Sequence, residues 1–152
     1  MEKQKVLFIC RDNSARSQMA AAFLNAYFGD RYEAYSGGVE PSVINPLATK
    51  VMGEIGINIS SCKPKSIKEL SGNKFDCIIT LCDYAKKSCV CLPPHKKHLH
   101  KSFKDYCLPK FCESAGKSDV CCFRHLQHQG KAYQGSSDSE LTEEEIICAF
   151  RN

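Results

Sequence analysis

The run Lys5–Cys10, KVLFIC, limits what this chain can fold into more than any other stretch. It is apolar without alternation, as a parallel strand covered on both faces must be, so it belongs in the middle of a sheet. A polar loop follows. Met19, Phe23 and Tyr27 then recur at spacings of four with Ala20 and Leu24 beside them, which predicts a helix running to about Phe28 and ended by Gly29. Strand, loop and helix in that order open a βαβ unit.

The same alternation continues. Tyr32–Ser36 reads as a second strand leading into a GGVEP loop. Asn45 caps a helix with Pro46 in its first turn, and Leu47, Val51 and Ile55 form its expected buried stripe up to Gly56. Ser66–Leu70 is a short helix opened by a Ser-x-x-Glu capping box, and Phe75–Leu81, FDCIITL, is a third strand that ends at Cys82. Strands separated by helices at these lengths imply right-handed crossovers and a parallel sheet with helices on both faces. From Tyr106 to Glu140 no period is sustained, so this stretch reads as a long irregular connection. A last, short helix starts at Thr142, where Thr-x-x-Glu forms another capping box.

A chain of 152 residues suits one domain, and no apolar run approaches the roughly 20 residues that span a bilayer. MEKQKVLFIC lacks a small-residue cleavage site and is expected to be a first strand and not a signal peptide, which makes the protein cytoplasmic. The formal charge of +4 is spread along the chain apart from the cluster between Lys87 and Lys101. That suits a small anion better than a nucleic acid. Eleven cysteines would suggest a disulfide framework in a secreted protein, but the count is odd and there is no export signal. A reducing compartment follows, with most thiols free. Cys77 and Cys148 are expected to be small buried hydrophobes.

The loop from Cys10 to Arg16, CRDNSAR, carries the chemistry. Between a strand and a helix, the backbone N–H groups of Arg11, Asp12, Asn13, Ser14, Ala15, Arg16 and Ser17 can converge on one oxyanion, and the helix N-terminus adds favourable potential. That potential also favours a thiolate, making a cysteine held there a nucleophile. Arg16 offers a planar fork to two oxygens of a tetrahedral anion, and Ser14 or Ser17 can donate to the sulfur. Cys-x5-Arg alone is a weak pattern in so cysteine-rich a chain; its placement after a strand and before a helix makes it informative.

CRDNSARSQMA, with KVLFIC before it and the YS-G-x-EP and NPLATKVMGEIGI stretches after it, closely resembles the low-molecular-weight tyrosine phosphatase superfamily, specifically its thioredoxin-coupled arsenate reductases. The resemblance covers about Lys5 to Asp105 and then Leu141 to Arg151. It implies a three-layer flavodoxin-like α/β fold with four parallel strands, in a single domain over 1–152 whose 106–140 stretch diverges and whose last helix is shortened. It further implies that Cys10 attacks arsenate, with phosphate as a weak analogue. Cys82 and Cys89, in LCDYAKKSC, stand where those reductases carry their second and third redox cysteines, and Asp105 stands where a general acid is found. The implied relay ends in a Cys82–Cys89 disulfide reduced by thioredoxin. No bound cofactor, no membrane, no nucleic acid and a monomer are expected.

Geometry bears on the relay independently. If the strands ending at Cys10 and Leu81 are neighbours they lie about 4.8 Å apart, so Cys82 begins near the nucleophile. Cys82 and Cys89 in a continuous helix would be separated by a rise of roughly 10 Å, whereas a disulfide needs Cα atoms within about 7 Å. The segment 82–89 is therefore expected to be mobile and to unwind on oxidation. Several positions depart from the commoner pattern. Asp12 occupies a position that is often Gly and must point outward or cap the backbone, with Arg11 compensating in part. Ala21 replaces a glutamate that helps bind potassium in some relatives, while Lys63 and Lys65 crowd that loop, so no potassium site is expected. Tyr106 replaces the Pro that usually follows the acid. Cys107, Cys112, Cys121, Cys122, His125 and His128 offer ligand types for zinc at irregular spacing, and no metal is expected. The rival readings are a phosphatase acting through a phosphocysteine on Cys10, and an anion or redox sensor without turnover.

Overall fold

The computed structural model describes residues 2–88 and 91–102, all within the first of the two units into which the chain divides, Met1–Asp105. The irregular connection, the last helix and the zinc-ligand types read from the sequence lie outside the described residues. So do Cys89, Asp105 and Cys148.

Four strands alternate with helices: β1 (Gln4–Cys10), α1 (Arg16–Phe28), β2 (Tyr32–Gly38), α2 (Pro46–Glu54), a 3-10 turn at Ile67–Leu70, β3 (Phe75–Thr80), α3 (Asp83–Ser88) and β4 (His95–His100). The sheet is wholly parallel in the order β2-β1-β3-β4. This is the flavodoxin-like arrangement that the sequence implies. Val6, Leu7, Phe8, Ile9 and Cys10 are all buried, because β1 has a strand on either side and helices above and below. Right-handed crossovers send α1 to one face and α2 and α3 to the other. The chain therefore parts in opposite directions at the C-terminal ends of β1 and β3, and a crevice opens there.

The helices follow their sequence signals with two shifts. Helix α1 buries Met19, Ala20, Phe23 and Leu24 as expected, but Phe28 takes the place of Tyr27, which is only half-buried and stacks on Phe23. A strict spacing of four overruns a 3.6-residue turn and drifts off the face. In α2 the buried face is Ala48, Val51 and Met52, with Leu47 and Ile55 half-exposed at its margins, for the same reason. Its ends are as expected: Asn45 Oδ1 accepts the Leu47 N–H at 2.9 Å, and Gly56, at φ +79°, closes a Schellman turn in which Ile57 N–H reaches the Met52 carbonyl at 3.0 Å. The Ser66–Glu69 capping box forms on the 3-10 turn.

Two features exceed the sequence reading. Strand β2 continues through Gly37 and Gly38, opposite Ile9 and Cys10. Strand β4, HKKHLH, has no apolar run to announce it. As an edge strand its residues are exposed or half-exposed, so pairing with β3 and not burial holds it.

Candidate active site

The loop between β1 and α1 is held from outside by the segment that follows β2. The carbonyls of Cys10, Arg11, Asp12 and Ser14 accept the N–H groups of Val39 (3.3 Å), Glu40 (2.9 Å), Ser42 (2.9 Å) and Asn45 (2.9 Å). In a trans peptide the carbonyl and the next N–H point in opposite directions. The N–H groups of Arg11, Asp12, Asn13 and Ala15 are therefore turned away from that segment, toward the inside of the loop. One of them shows its target: Asn13 N–H donates to Cys10 Sγ at 3.2 Å. Gly38 permits the close approach, since a Cβ there would lie 2.9 Å from both Cβ and N of Asn13 and 3.0 Å from the Arg11 carbonyl.

Asn13 organises the loop's interior. It is fully buried at φ +49°, a left-handed conformation that asparagine tolerates better than most residues. Its Oδ1 accepts the Lys65 backbone N–H at 2.8 Å, a donor that admits no ambiguity, so its Nδ2 is the group that donates to Ser17 Oγ at 2.7 Å. The same Ser17 Oγ lies 2.9 Å from Cys10 Sγ, and its hydroxyl is the donor of that pair whenever the sulfur is a thiolate, which can only accept. Gln18 Nε2 completes the set by donating to Asn13 Oδ1 (3.0 Å) and to its carbonyl (3.2 Å). Cys10, Asn13 and Ser17 are each almost wholly inaccessible. Of the two serines that the sequence offered, Ser17 meets the sulfur; Ser14 is half-buried and its carbonyl braces Asn45.

The remaining loop residues take other positions. Ala15 is buried and precedes α1, and Arg16, half-exposed, is its first residue. Asp12 points outward toward Arg11 Nε at 3.6 Å, as its charge beside an anion site demands. Arg11 is turned outward as well. Its Nε lies 3.3 Å from Glu40 Oε2, and its guanidinium stacks 4.6 Å above the Tyr84 ring. Tyr84 Oη donates to Glu40 Oε1 at 2.8 Å. This phenol and then the Arg11 guanidinium hold the Glu40 carboxyl below its ordinary range.

The second cysteine stands at the neighbouring strand end. β1 and β3 pair from Val6–Cys77 to Ile9–Thr80, and Leu81 N–H continues the ladder to the Ile9 carbonyl at 2.8 Å. Cys82 follows at once, buried, its Sγ accepting the Ala85 N–H at 3.3 Å in the first turn of α3. Asp83 is tied to β4 through His100, whose Nε2 is 3.0 Å from Asp83 Oδ1 and whose Nδ1 is 2.8 Å from the buried Thr80 Oγ1. This hydrogen bond from His100, with Ser102 and Lys87 contributing less, holds the Asp83 carboxyl below its ordinary range. His98 Nε2 also meets Thr80 Oγ1, at 3.1 Å. By contrast, burial in β3 pushes the Cys77 thiol up to about 11, which leaves it a packing residue.

Sequence reasoning listed the loop by position but missed its supports: Gly38, the 39–45 segment, Gln18, Glu40 and Tyr84. The GG pair after a strand was the one available signal, since paired glycines invite close backbone approach. The potassium-related positions line an open cavity of about 400 Å³ behind the loop, where Gln18, Ala21, Lys63 and Lys65 are found. Among the described residues no group of three or more His, Cys, Asp and Glu side chains is placed to hold a metal ion, and no helix is long and apolar enough to cross a membrane.

Known proteins are similar to this chain in sequence and fold. The low molecular weight phosphotyrosine protein phosphatase family matches residues 5–119. Arsenate reductase 2 of Staphylococcus haemolyticus (strain JCSC1435) is 41% identical over 105 residues, which span 69% of this chain and 80% of that protein. A solved structure of an arsenate reductase in the phosphate binding state superposes with a TM-score of 0.66 at 31% identity, covering 85% of this chain and 92% of that one. The Corynebacterium glutamicum thioredoxin-dependent arsenate reductase is similar at a TM-score of 0.58 and 29% identity, over 88% of this chain and 64% of that one.

Proposed function

This chain belongs to the low molecular weight phosphotyrosine protein phosphatase family, and from that premise we propose that it is an arsenate reductase in which Cys10 is the nucleophile. The Cys10 thiolate, solvated by Asn13 N–H and the Ser17 hydroxyl, attacks the arsenic of arsenate bound in the loop. One oxygen leaves as water and an S–As(V) bond forms. Arg16 and the inward N–H groups hold the remaining oxygens, where negative charge is densest. Asp105 supplies the proton for the departing oxygen.

The Cys82 thiolate then attacks the Cys10 sulfur. The S–As bond breaks with its electron pair going to arsenic, so arsenic leaves as arsenite, reduced by two electrons, and a Cys10–Cys82 disulfide remains. Cys89 attacks Cys82 and expels the Cys10 thiolate, which restores the nucleophile and leaves a Cys82–Cys89 disulfide for thioredoxin. That last exchange unwinds α3, because a helix between these two cysteines would keep them farther apart than a disulfide allows. Thioredoxin is the external reductant, and no cofactor is needed because the thiols supply both electrons.

The observation that carries the reductase reading over the phosphatase one is the parallel register of β1 and β3, which brings the chain to Cys82 one residue past the neighbour of Cys10. A phosphatase has no use for a thiol there. The test is arsenite production with thioredoxin by wild type and by Cys10→Ser, Cys82→Ser and Cys89→Ser, with disulfides mapped. Cys10→Ser should produce no arsenite and no disulfide, Cys82→Ser should stop at the arsenate adduct, and Cys89→Ser should accumulate Cys10–Cys82. Phosphotyrosine turnover that survives loss of both Cys82 and Cys89, without arsenite from wild type, would instead make the chain a phosphatase.

A further inference from the structure

Three segments meet at the rim of the crevice: the anion loop through Arg11, the segment after β2 through Glu40, and α3 through Tyr84. The two oxygens of one carboxylate are divided between them, Oε2 toward Arg11 Nε at 3.3 Å and Oε1 accepting the Tyr84 hydroxyl at 2.8 Å. The Arg11 guanidinium also rests on the Tyr84 ring. Arg11 directly follows Cys10 and Tyr84 is two residues past Cys82, so the bridge joins the backbones that carry the two thiols. We infer that Glu40 is a positioning residue that holds Arg11 turned out of the anion loop and anchors Tyr84 on α3, so that an oxyanion drawing Arg11 toward the loop also loosens the helix behind Cys82. This rests on the reductase reading, and it supplies what that reading leaves open, namely why the second thiol's helix stays wound until substrate is present.

The physical case is a competition. Arg11 can satisfy Glu40 or a bound oxyanion with the same fork of donors. All three side chains are substantially exposed, so each contact is weak and easily exchanged, which suits a latch that must open in every cycle. When Arg11 leaves, Tyr84 loses the cation above its ring and Glu40 loses its counter-charge. Helix α3, only six residues long, then has less to hold it. The backbone bond from Glu40 N–H to the Arg11 carbonyl is independent of the Glu40 side chain, so substitution there leaves the loop supported.

The test uses inorganic phosphate as the probe and needs no turnover. Phosphate affinity is read from protection of Cys10 against alkylation, and the winding of α3 from amide hydrogen exchange of residues 83–88. In wild type, saturating phosphate should speed exchange of that segment by about two- to fivefold. Glu40→Gln should bind phosphate about two- to fivefold more tightly, and its α3 should exchange fast already without phosphate. Tyr84→Ala, which removes both the hydroxyl on Glu40 and the ring beneath Arg11, should abolish the effect of phosphate on α3. A purely structural Glu40 would not tighten anion binding on its loss. Unchanged or weaker affinity in Glu40→Gln, or exchange in wild type that ignores phosphate, would overturn the inference. Absence of arsenite from wild type with thioredoxin would overturn the reductase reading instead, while the phosphate results would still judge the bridge.

Discussion

The two described thiols of the crevice stand a strand apart and are held in opposite ways. Cys10 lies in a loop braced by four backbone hydrogen bonds outside and by Asn13, Ser17 and Gln18 inside, nearly all of them buried. Cys82 is buried too, but the helix that begins after it is six residues long and is tied down by Asp83 and Tyr84, both exposed. Buried polar networks are costly to disturb, whereas exposed pairs exchange readily with water. Under the proposed relay the contrast teaches a division of labour: the site that would meet a tetrahedral anion is preorganised, and the one that would hand a disulfide onward is held by contacts that exchange easily.

Breaking the rigid half should have the largest effect. Asn13→Ala removes the side chain that satisfies Lys65 N–H, Ser17 and Gln18, and places alanine at a positive φ. We expect a loss of about 2–4 kcal/mol in urea unfolding together with loss of arsenite production. A variant as stable as wild type would show that the network is not what holds the loop. Gly38→Ala sharpens the comparison, because the atoms nearest to its added methyl, in Asn13 and the Arg11 carbonyl, all belong to the anion loop. Its expected cost is about 1–3 kcal/mol, with Cys10 alkylation altered and Cys82 alkylation unchanged. Equal changes at both thiols would mean that the loop and α3 share more than the Arg11–Glu40–Tyr84 bridge.

The smallest effect concerns pH. Burial first, and then His95, His100 and Lys86, lower the affinity of His98 for a proton. The unfolded chain thus takes up a proton on this histidine at higher pH than the folded one, so stability is retained above the ordinary value of 6.5 and declines as pH falls below it. The urea midpoint should therefore drop slightly between pH 7.5 and pH 5.5, and His98→Gln should flatten that part of the profile. The anion loop contains no histidine, so the slope belongs to the β3–β4 side. A profile unchanged by His98→Gln would assign it elsewhere.

Much of this could be read from residue order. KVLFIC can be satisfied only between two strands, Asn45-Pro46 and Ser66-x-x-Glu69 cap helices through contacts within a few residues, and a cysteine between strand and helix meets converging amides wherever the sheet lies. These are local signals, written in neighbouring residues, and they located the loop and the parallel sheet. The placement of Cys82 beside Cys10 followed from one further assumption, that their strands are adjacent, which the register bears out.

What residue order could not reveal depends on partners distant in sequence. HKKHLH forms a strand because β3 offers it an edge, not because its side chains ask for burial. Asn13 is a hub because Lys65, 52 positions away, supplies the donor that orients its amide. The Arg11 guanidinium, expected from the sequence only to offset Asp12 in part, is found on Glu40 and Tyr84 as well, because a charge with several partners in reach is governed by distances that only folding sets. Periodicity and capping are properties of a segment; the direction of a proton or a guanidinium is a property of the whole packed chain.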